Sequence, residues 1–368
     1  MSSEPGKVIH VIGSLARGGV EMRLIEIMKN LNPKEVRLDY CSLSGQAGEL
    51  DFDATSLGGQ VYHYGLSLLF PFKFVKLLKR NKYNAVHSHV HLFSGYILFL
   101  AMFAGTPIRI IHFRNTHDGQ NTSLRRKLQR AVARWLASVS ATRVLGVCEA
   151  ALACGWGKNY KKDSRCIVVY NGFTAEERDL TYNKHNMPEI NITKSGPLIV
   201  HVGRFSPAKN HIRILEIFSE YLTLSPEATL VLVGKGGTTE EKQSIELANK
   251  LNLANSVVFA GLRNDVRDIL RAADLLLFPS LWEGLPGVVI EALLENTPVL
   301  ASDLPGVREI EDRSKGVTLL SLKQSNQTWA EMMNEAISNQ VEISLGPDGE
   351  FNLQNNISTL KRLWGVET

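Results

Sequence analysis

Short apolar runs alternate with amphipathic stretches along most of this 368-residue chain, and no other feature limits its fold as strongly. Residues 7–13, 37–42, 60–63, 85–89, 109–112 and 143–147 read as strands. Helical spacing lies between them, as in residues 20–31, where Met22, Ile25, Ile27 and Met28 would point inward. Parallel strands cannot be joined by a tight turn, so strand–helix–strand in series builds a parallel sheet whose ligands gather at the carboxyl ends of its strands. Residues 167–172 (IVVYNG) close this first set, and the polar stretch 174–195, carrying Pro188, reads as a linker. A second set follows, with strands at 198–202, 229–233, 257–259, 275–278 and 298–301 and a closing helix at 353–363 that ends in Trp364 and Gly365. Two doubly wound α/β halves are expected, with a cleft between them where sites are commonly built.

Charge is unevenly divided between the halves. Residues 1–185 hold 25 Lys and Arg against 14 Asp and Glu, while the remainder holds 16 against 23. A basic first half is expected to meet something anionic. Its cations are not interleaved with aromatic residues as a base-stacking surface requires, so nucleic acid is not the expected partner. The N-terminus lacks the pattern of a signal peptide. The apolar run 92–108 is broken by Ser94, Gly95, Gly105 and Pro107 and reads as a buried helix, since a bilayer span takes about 20 apolar residues. Cys41, Cys148, Cys154 and Cys166 show no CxxC spacing and read as free thiols in a reducing cytoplasm.

The chemistry concentrates in residues 278–291, FPSLWEGLPGVVIE. A buried strand runs into a turn marked by Gly284, Pro286 and Gly287, then into a helix from about Val288. Glu283 falls on the loop and Glu291 about one turn into the helix. The first amides of a helix lack internal partners and carry partial positive charge, so the junction can hold a phosphate while the carboxylates accept from hydroxyls. The plainer alternative is a strand–helix turn with two solvated glutamates. Arg204 and Lys209, in GRFSPAKN at another strand end, suit a diphosphate as a planar fork and a point charge; a solvated basic loop is the alternative. Gly234-Lys235-Gly236-Gly237 is weak evidence for anything beyond a tight turn.

In the first half, residues 16–19 (ARGG) form a glycine turn without the spacing of a dinucleotide site. His112 ends a strand, followed by Arg114, His117 and Asp118, and is either a hydrogen-bonding group for a sugar hydroxyl or leaving phosphate, or a satisfied core histidine. His87, His89 and His91 alternate along a strand end, where a row of rings does not close a tetrahedron without distant ligands; a polar strand end facing the cleft is expected, not a metal site. Asp51-Phe52-Asp53 is the aspartate pair of metal-dependent sugar transferases, but it stands between glycine turns and reads as a surface loop. Residues 124–137 form a basic amphipathic helix, with Leu124, Leu128, Val132, Trp135 and Leu136 opposite five cations. With residues 73–82 it reads either as a contact for an anionic membrane or as a solvated helix face.

Together these residues resemble retaining GT-B glycosyltransferases of family 4, the group 1 glycosyl transferases, and bacterial capsule and exopolysaccharide enzymes among them. The resemblance rests on Gly18-Gly19-Val20-Glu21, Tyr170-Asn171-Gly172, Val202-Gly203-Arg204 with Lys209, Glu283 to Glu291, and Ser302-Asp303 with Gly306 and Glu309, and covers nearly the whole chain. It implies two Rossmann-like domains, 1–185 for the acceptor and 186–350 for the donor, with 351–368 as a helix crossing back onto the first. It implies a nucleotide-sugar co-substrate, UDP-linked, and no cofactor or metal. Arg204 and Lys209 would hold the diphosphate, Glu291 the ribose, Glu283 the sugar hydroxyls, and the Gly287 and Val288 amides sugar or phosphate. Gly19 would let its loop approach the phosphates, and His112 would sit near the reacting carbon. The acceptor would be a glycan or lipid-linked glycan, attacked on the face the leaving group departs. Cys148-Glu149 departs from the family's usual serine before the acidic residue. A sugar-nucleotide epimerase of the same architecture and a catalytically silent nucleotide-sugar-binding subunit are the rival readings.

Overall fold

Strands whose residues are apolar on both faces need cover on both, and the chain supplies it with a helix after nearly every strand. The computed structural model describes residues 4–116, 123–174, 190, 192, 194–339, 342–345 and 349–366. In the first unit β1 (Gly6–Ile12), β2 (Val36–Ser42), β3 (Val61–His63), β4 (Ala85–Ser88), β5 (Ile108–Phe113), β6 (Arg143–Gly146) and β7 (Cys166–Val168) alternate with α1 (Gly19–Lys29), α2 (Asp51–Ser56), α3 (Phe70–Asn81), α4 (Ser94–Phe103), α5 (Leu124–Ser140) and α6 (Glu149–Gly155). The strands form a parallel sheet in the order β3-β2-β1-β4-β5-β6-β7. In the second unit β8 (Leu198–Val202), β9 (Thr229–Val233), β10 (Val257–Gly261), β11 (Leu275–Phe278) and β12 (Val299–Ser302) alternate with α7 (His211–Leu224), α8 (Thr239–Lys250), α9 (Val266–Ala272), α10 (Gly287–Leu294) and α11 (Pro305–Glu311). A short pair, β13 (Ser314–Lys315) and β15 (Ser344–Leu345), flanks β14 (Val317–Leu320) and α12 (Asn326–Ser338). The second parallel sheet runs β10-β9-β8-β11-β12-β14. These are the two Rossmann-like sheets expected.

The units are Met1–Gly172 with Glu350–Thr368, and Phe173–Gly349. The expected boundary at 185/186 and most of the expected linker lie outside the described residues. The last helix, α13 (Leu353–Trp364), belongs to the first unit. Its Leu353, Ile357, Leu360, Leu363 and Trp364 are buried in one core with α1 and with Val8, Ile12 and Leu38. Asn352 caps it by accepting from the Gln354 and Asn355 amides, and Gly365 ends it in the left-handed region at φ 66°. A side chain at Gly172 would run into the Leu353 backbone, so the glycine of the Tyr-Asn-Gly motif is a seat for this helix. Asn356 Nδ2 donates to the Tyr170 carbonyl at 2.5 Å, and Lys361 pairs with Glu35 at 2.6 Å.

Two local expectations change. Residues 51–53 are not a loop: they open α2, where Asp51 Oδ2 accepts from the Gly48 amide at 3.0 Å and pairs with His63 at 3.0 Å. A carboxylate at a helix start helps hold the turn together. The strand expected at 85–89 ends at Ser88, yet the His89 amide still donates to the Val11 carbonyl at 2.9 Å and the His87 and His89 rings lie 4.3 Å apart on one side; the expected row breaks at His91, where φ is 49°. Helix α5 keeps its apolar stripe exposed, as both readings of it allow. It packs on α4 through Ala133 and Ala137, close enough that a side chain at Gly95 would strike the Ala133 carbonyl, while Leu128 (66% exposed), Val132, Trp135 (60%) and Val139 stay at the surface.

Candidate active site

In each sheet the strand order reverses direction once, between β1 and β4 and between β8 and β11, and the loops leaving those strands diverge to open a crevice. Both sets of singled-out residues lie at these points. Beyond β8, a side chain at Gly203 would press on Lys209, its Cβ 2.9 Å from Lys209 Cε, so glycine allows Lys209 to fold back over the strand end. The turn Pro207–Lys209 ends at Asn210, held at φ 57°. There Asn210 Nδ2 donates to the Pro279 carbonyl at 3.0 Å, and the Leu281 amide donates to the Ala208 carbonyl at 2.8 Å. The two loops are thus tied by backbone, and the tie sets Lys209 Nζ 2.6 Å from Glu283 Oε1. Lys209 is 19% and Glu283 14% exposed, and the ammonium lies 4.9 Å from the centre of the Phe278 ring.

The loop carrying Glu283 is fixed from below. Ser302 Oγ donates to the Ser280 carbonyl at 2.6 Å, and any side chain at Gly306 would run into the Gly284 carbonyl oxygen. Asp303 is paired with Arg308. Pro286 then caps α10 from extended backbone, Gly287 is the first helical residue, and Glu291 lies half-buried one turn on. Arg204 is exposed and stands outside the Lys209–Glu283 pair. The Gly234–Gly237 turn is closed by its own helix: Thr238 accepts from the Glu241 amide at 3.2 Å and Glu241 accepts from the Gly237 amide at 2.6 Å. Its neighbour Gly234 is glycine because a side chain would strike the Gly203 carbonyl.

The first unit gathers rings where the second gathers charges. His10 on β1, His87 on β4 and His112 on β5 are buried side by side with half-buried His89, with centroids of neighbouring rings 4.3–5.5 Å apart. His10 Nδ1 and His89 Nε2 are 2.9 Å apart, His87 Nε2 and His112 Nδ1 3.0 Å. Trp364 Nε1 donates to His87 Nδ1 at 3.1 Å, and Arg114 Nε to His89 Nδ1 at 3.3 Å. Arg114 Nη1 also donates to Asn171 Oδ1 at 2.7 Å, which gives the asparagine of the Tyr-Asn-Gly motif its task. Burial, with Arg114's charge second, pushes His10 down to about 3; burial first of all holds His87, His89 and His112 well below the ordinary histidine range. Arg114 itself falls to about 9 through burial, opposed by Glu21.

Nitrogens of His10, His87 and His89 come within 4.8 Å of one another, the spacing of a cation site. Arg114 donates to His89 Nδ1 and so sets a cation beside the three rings, while His10 Nε2 has no partner among the described residues. Gly19 starts α1 behind Gly18, and a side chain there would meet nothing within 4 Å among the described residues, so packing does not require its glycine. His117 and Asp118 lie outside the described residues. Cys148, the departure noted in the sequence, is buried at the start of α6, where Glu149 accepts from the Tyr160 hydroxyl at 2.8 Å. His10 and Trp364 were not singled out from the sequence; a lone histidine inside the apolar run of residues 7–13 was the available signal.

Comparison with known proteins decides the family. Residues 17–177 match the model for Glycosyltransferase Family 4, and residues 183–352 that for Glycosyl transferases group 1. The capsular polysaccharide biosynthesis glycosyltransferase CapH of Staphylococcus aureus is 30% identical over 98% of this chain and 99% of its own length. The chain is a group 1 glycosyltransferase. The putative glycosyltransferase EpsF of Bacillus subtilis (strain 168) is 27% identical over 100% of this chain and 98% of its own length. Among solved structures, Anabaena Alr3699/HepE in complex with UDP-glucose superimposes with a TM-score of 0.79 at 19% identity, covering 98% of this chain and 100% of that one. The group 1 glycosyltransferase thus shares the GT-B fold. None of its helices, among the described residues, is long and apolar enough to cross a membrane.

Proposed function

We propose that this glycosyltransferase moves a sugar from a UDP-linked donor to a hydroxyl of a glycan or lipid-linked acceptor in polysaccharide biosynthesis, with retention of anomeric configuration. The observation that carries the reading is the Lys209–Glu283 pair, held by backbone ties at the β8/β11 crevice. A free carboxylate there would repel a diphosphate, and a free ammonium would hold it without regard to the sugar. Paired, the two can exchange partners: phosphate oxygens take the ammonium, and Glu283 is released to accept from hydroxyls of the transferred sugar. Arg204 adds the second cation, the Gly287 and Val288 amides at the start of α10 the next donors, and Glu291 the acceptor for ribose. HepE, solved with UDP-glucose, supports a uridine donor.

Charge grows on the departing diphosphate as the glycosidic bond breaks, and fixed cations with a helix start stabilise it without a metal ion. The diphosphate oxygen then takes the proton of the attacking hydroxyl on the same face. From the first unit, Gly19 lets its loop approach the phosphates and His112 addresses the sugar near the reacting carbon. The basic helices α3 and α5 meet an anionic membrane at the cytoplasmic face: neither holds an acidic residue. Phe72 and Phe103 line an open groove with Lys76, Lys79 and Arg80, and α5 presents its exposed stripe among arginines.

The deciding experiment is Glu283→Ala with UDP binding and sugar transfer measured side by side. Transfer is expected to fall by about two orders of magnitude or more with UDP affinity kept. Unchanged transfer would remove Glu283 from the mechanism, and unchanged cellular function with no transfer in either protein would mark a silent binding subunit.

A further inference from the structure

Two hydrogen-bonded chains of rings run through the first unit, and each begins at a group that can only donate. The Trp364 indole N–H is directed at His87 Nδ1, 3.1 Å away. That nitrogen must therefore be the acceptor of a neutral ring, which puts the proton of His87 on Nε2. His87 Nε2 lies 3.0 Å from His112 Nδ1, so His87 donates and His112 Nδ1 accepts. The proton of His112 is then on Nε2, a buried nitrogen with no partner among the described residues. The second chain repeats the logic: Arg114 Nε donates to His89 Nδ1, His89 Nε2 to His10 Nδ1, and His10 Nε2 is left as a donor without a partner. Reversing the first chain would set an N–H of His87 against the N–H of Trp364, two donors face to face in a buried site, so only one direction is stable.

We propose that Trp364, on the helix that returns from the C-terminal end of the chain, is a positioning residue that locks His112 as an Nε2–H donor through His87. This rests on the reading of His112 as a group addressing the transferred sugar, and it adds what fixes the polarity of that contact. An imidazole whose proton sat on Nδ1 would present a lone pair at Nε2 and could not donate to a sugar oxygen. The docked α13 thereby holds His112 wholly in its donor form.

The test begins in the free protein. Nitrogen-15 shifts of the histidine rings report the tautomer directly. His112 is expected to show a protonated Nε2 and bare Nδ1 in the native protein, and a mixture in Trp364→Phe, which keeps most of the ring but loses the donor. Leu363→Ala, which loosens α13 without touching the chain of rings, should lower the melting temperature and leave the tautomer unchanged. In transfer assays Trp364→Phe should lower kcat by the share of Nε2–H tautomer it removes, about twofold for an even mixture, with UDP affinity unchanged. On a His112→Gln background, whose amide N–H donates in any case, Trp364→Phe should have no further effect on kcat. An Nδ1–H tautomer at His112 in the native protein, or a tautomer unmoved by Trp364→Phe, overturns the proposal whatever the kinetics. A moved tautomer with kcat unchanged overturns its catalytic consequence. Should His112→Ala leave transfer intact, the reading of His112 fails while the ring shifts still judge the chain of rings.

Discussion

The two units place polar groups at equivalent points of similar sheets and treat them in opposite ways. At the β8/β11 crevice the second unit keeps formal charges, Lys209 and Glu283, partly exposed and satisfied by each other. Around β1, β4 and β5 the first unit keeps four rings uncharged, three of them buried, and gives each a direction through hydrogen bonds. A charged pair near water can be opened by an incoming ion at modest cost, because solvent and ligand replace what is lost. A buried charge has no such replacement, so the interior relies on neutral donors and acceptors. One region is arranged to exchange partners, the other to keep them.

The largest effect should come from breaking the charged side. Lys209→Ala is expected to weaken UDP binding and cut transfer by two to three orders of magnitude, roughly the value of one preorganised group at developing charge, while unfolding temperature barely moves. A collapse in stability instead would make the pair structural. Next, Gly306→Ala forces a methyl into the Gly284 carbonyl and must shift the loop that holds Glu283. We expect a loss of about 1–3 kcal/mol by chemical unfolding together with lost transfer, as for other overpacked sites.

Acid should then separate the units. His10 is neutral when folded, with its pKa lowered to about 3, but takes up a proton at about 6.5 when unfolded. The unfolded chain therefore binds more protons between those values, so stability is full above about pH 6.5 and declines as pH falls toward 3, by up to about 1.4 kcal/mol per unit of separation. His87, His89 and His112 shift the same way in the first unit; His201, and His211 at about 4, do so in the second. With four such rings against two, hydrogen exchange corrected for intrinsic rates should find the first unit loosening earlier between pH 7 and 4. Equal loosening would contradict this contrast between the units. The smallest effect belongs to the surface: Trp135→Ala should change stability by no more than about 0.5 kcal/mol yet reduce binding to vesicles containing anionic lipid. Loss of stability without loss of vesicle binding would assign the α5 stripe to packing.

Helices α5 and α13 show how far the sequence could be read. Both carry an apolar stripe opposite polar and basic residues, and both were legible as amphipathic helices. One stripe is a core and the other a surface, because periodicity declares that a face is apolar and says nothing of what covers it. The strand-end motifs were legible in kind, but Lys209 and Glu283 are 74 residues apart, and their contact depends on ties made by Asn210 and Leu281. His112 was legible as a candidate. Its connections were not, since His87 bonds it from 25 residues before and Trp364, 252 residues after, reaches it only through His87.

The order of strands and helices, the split into two parallel sheets and the placing of glycines, cations and carboxylates at strand ends follow from local patterns, because backbone geometry and burial act over a few residues at a time. Tertiary structure alone decided that Trp364 of the last helix reaches His87, that an ammonium rests on a carboxylate from another loop, and that each ring of the His10, His87, His89 and His112 cluster carries its proton on a particular nitrogen. Those outcomes depend on distances between groups far apart in the chain, and hydrogen bonds and charges respond to distance in space, not to separation in sequence.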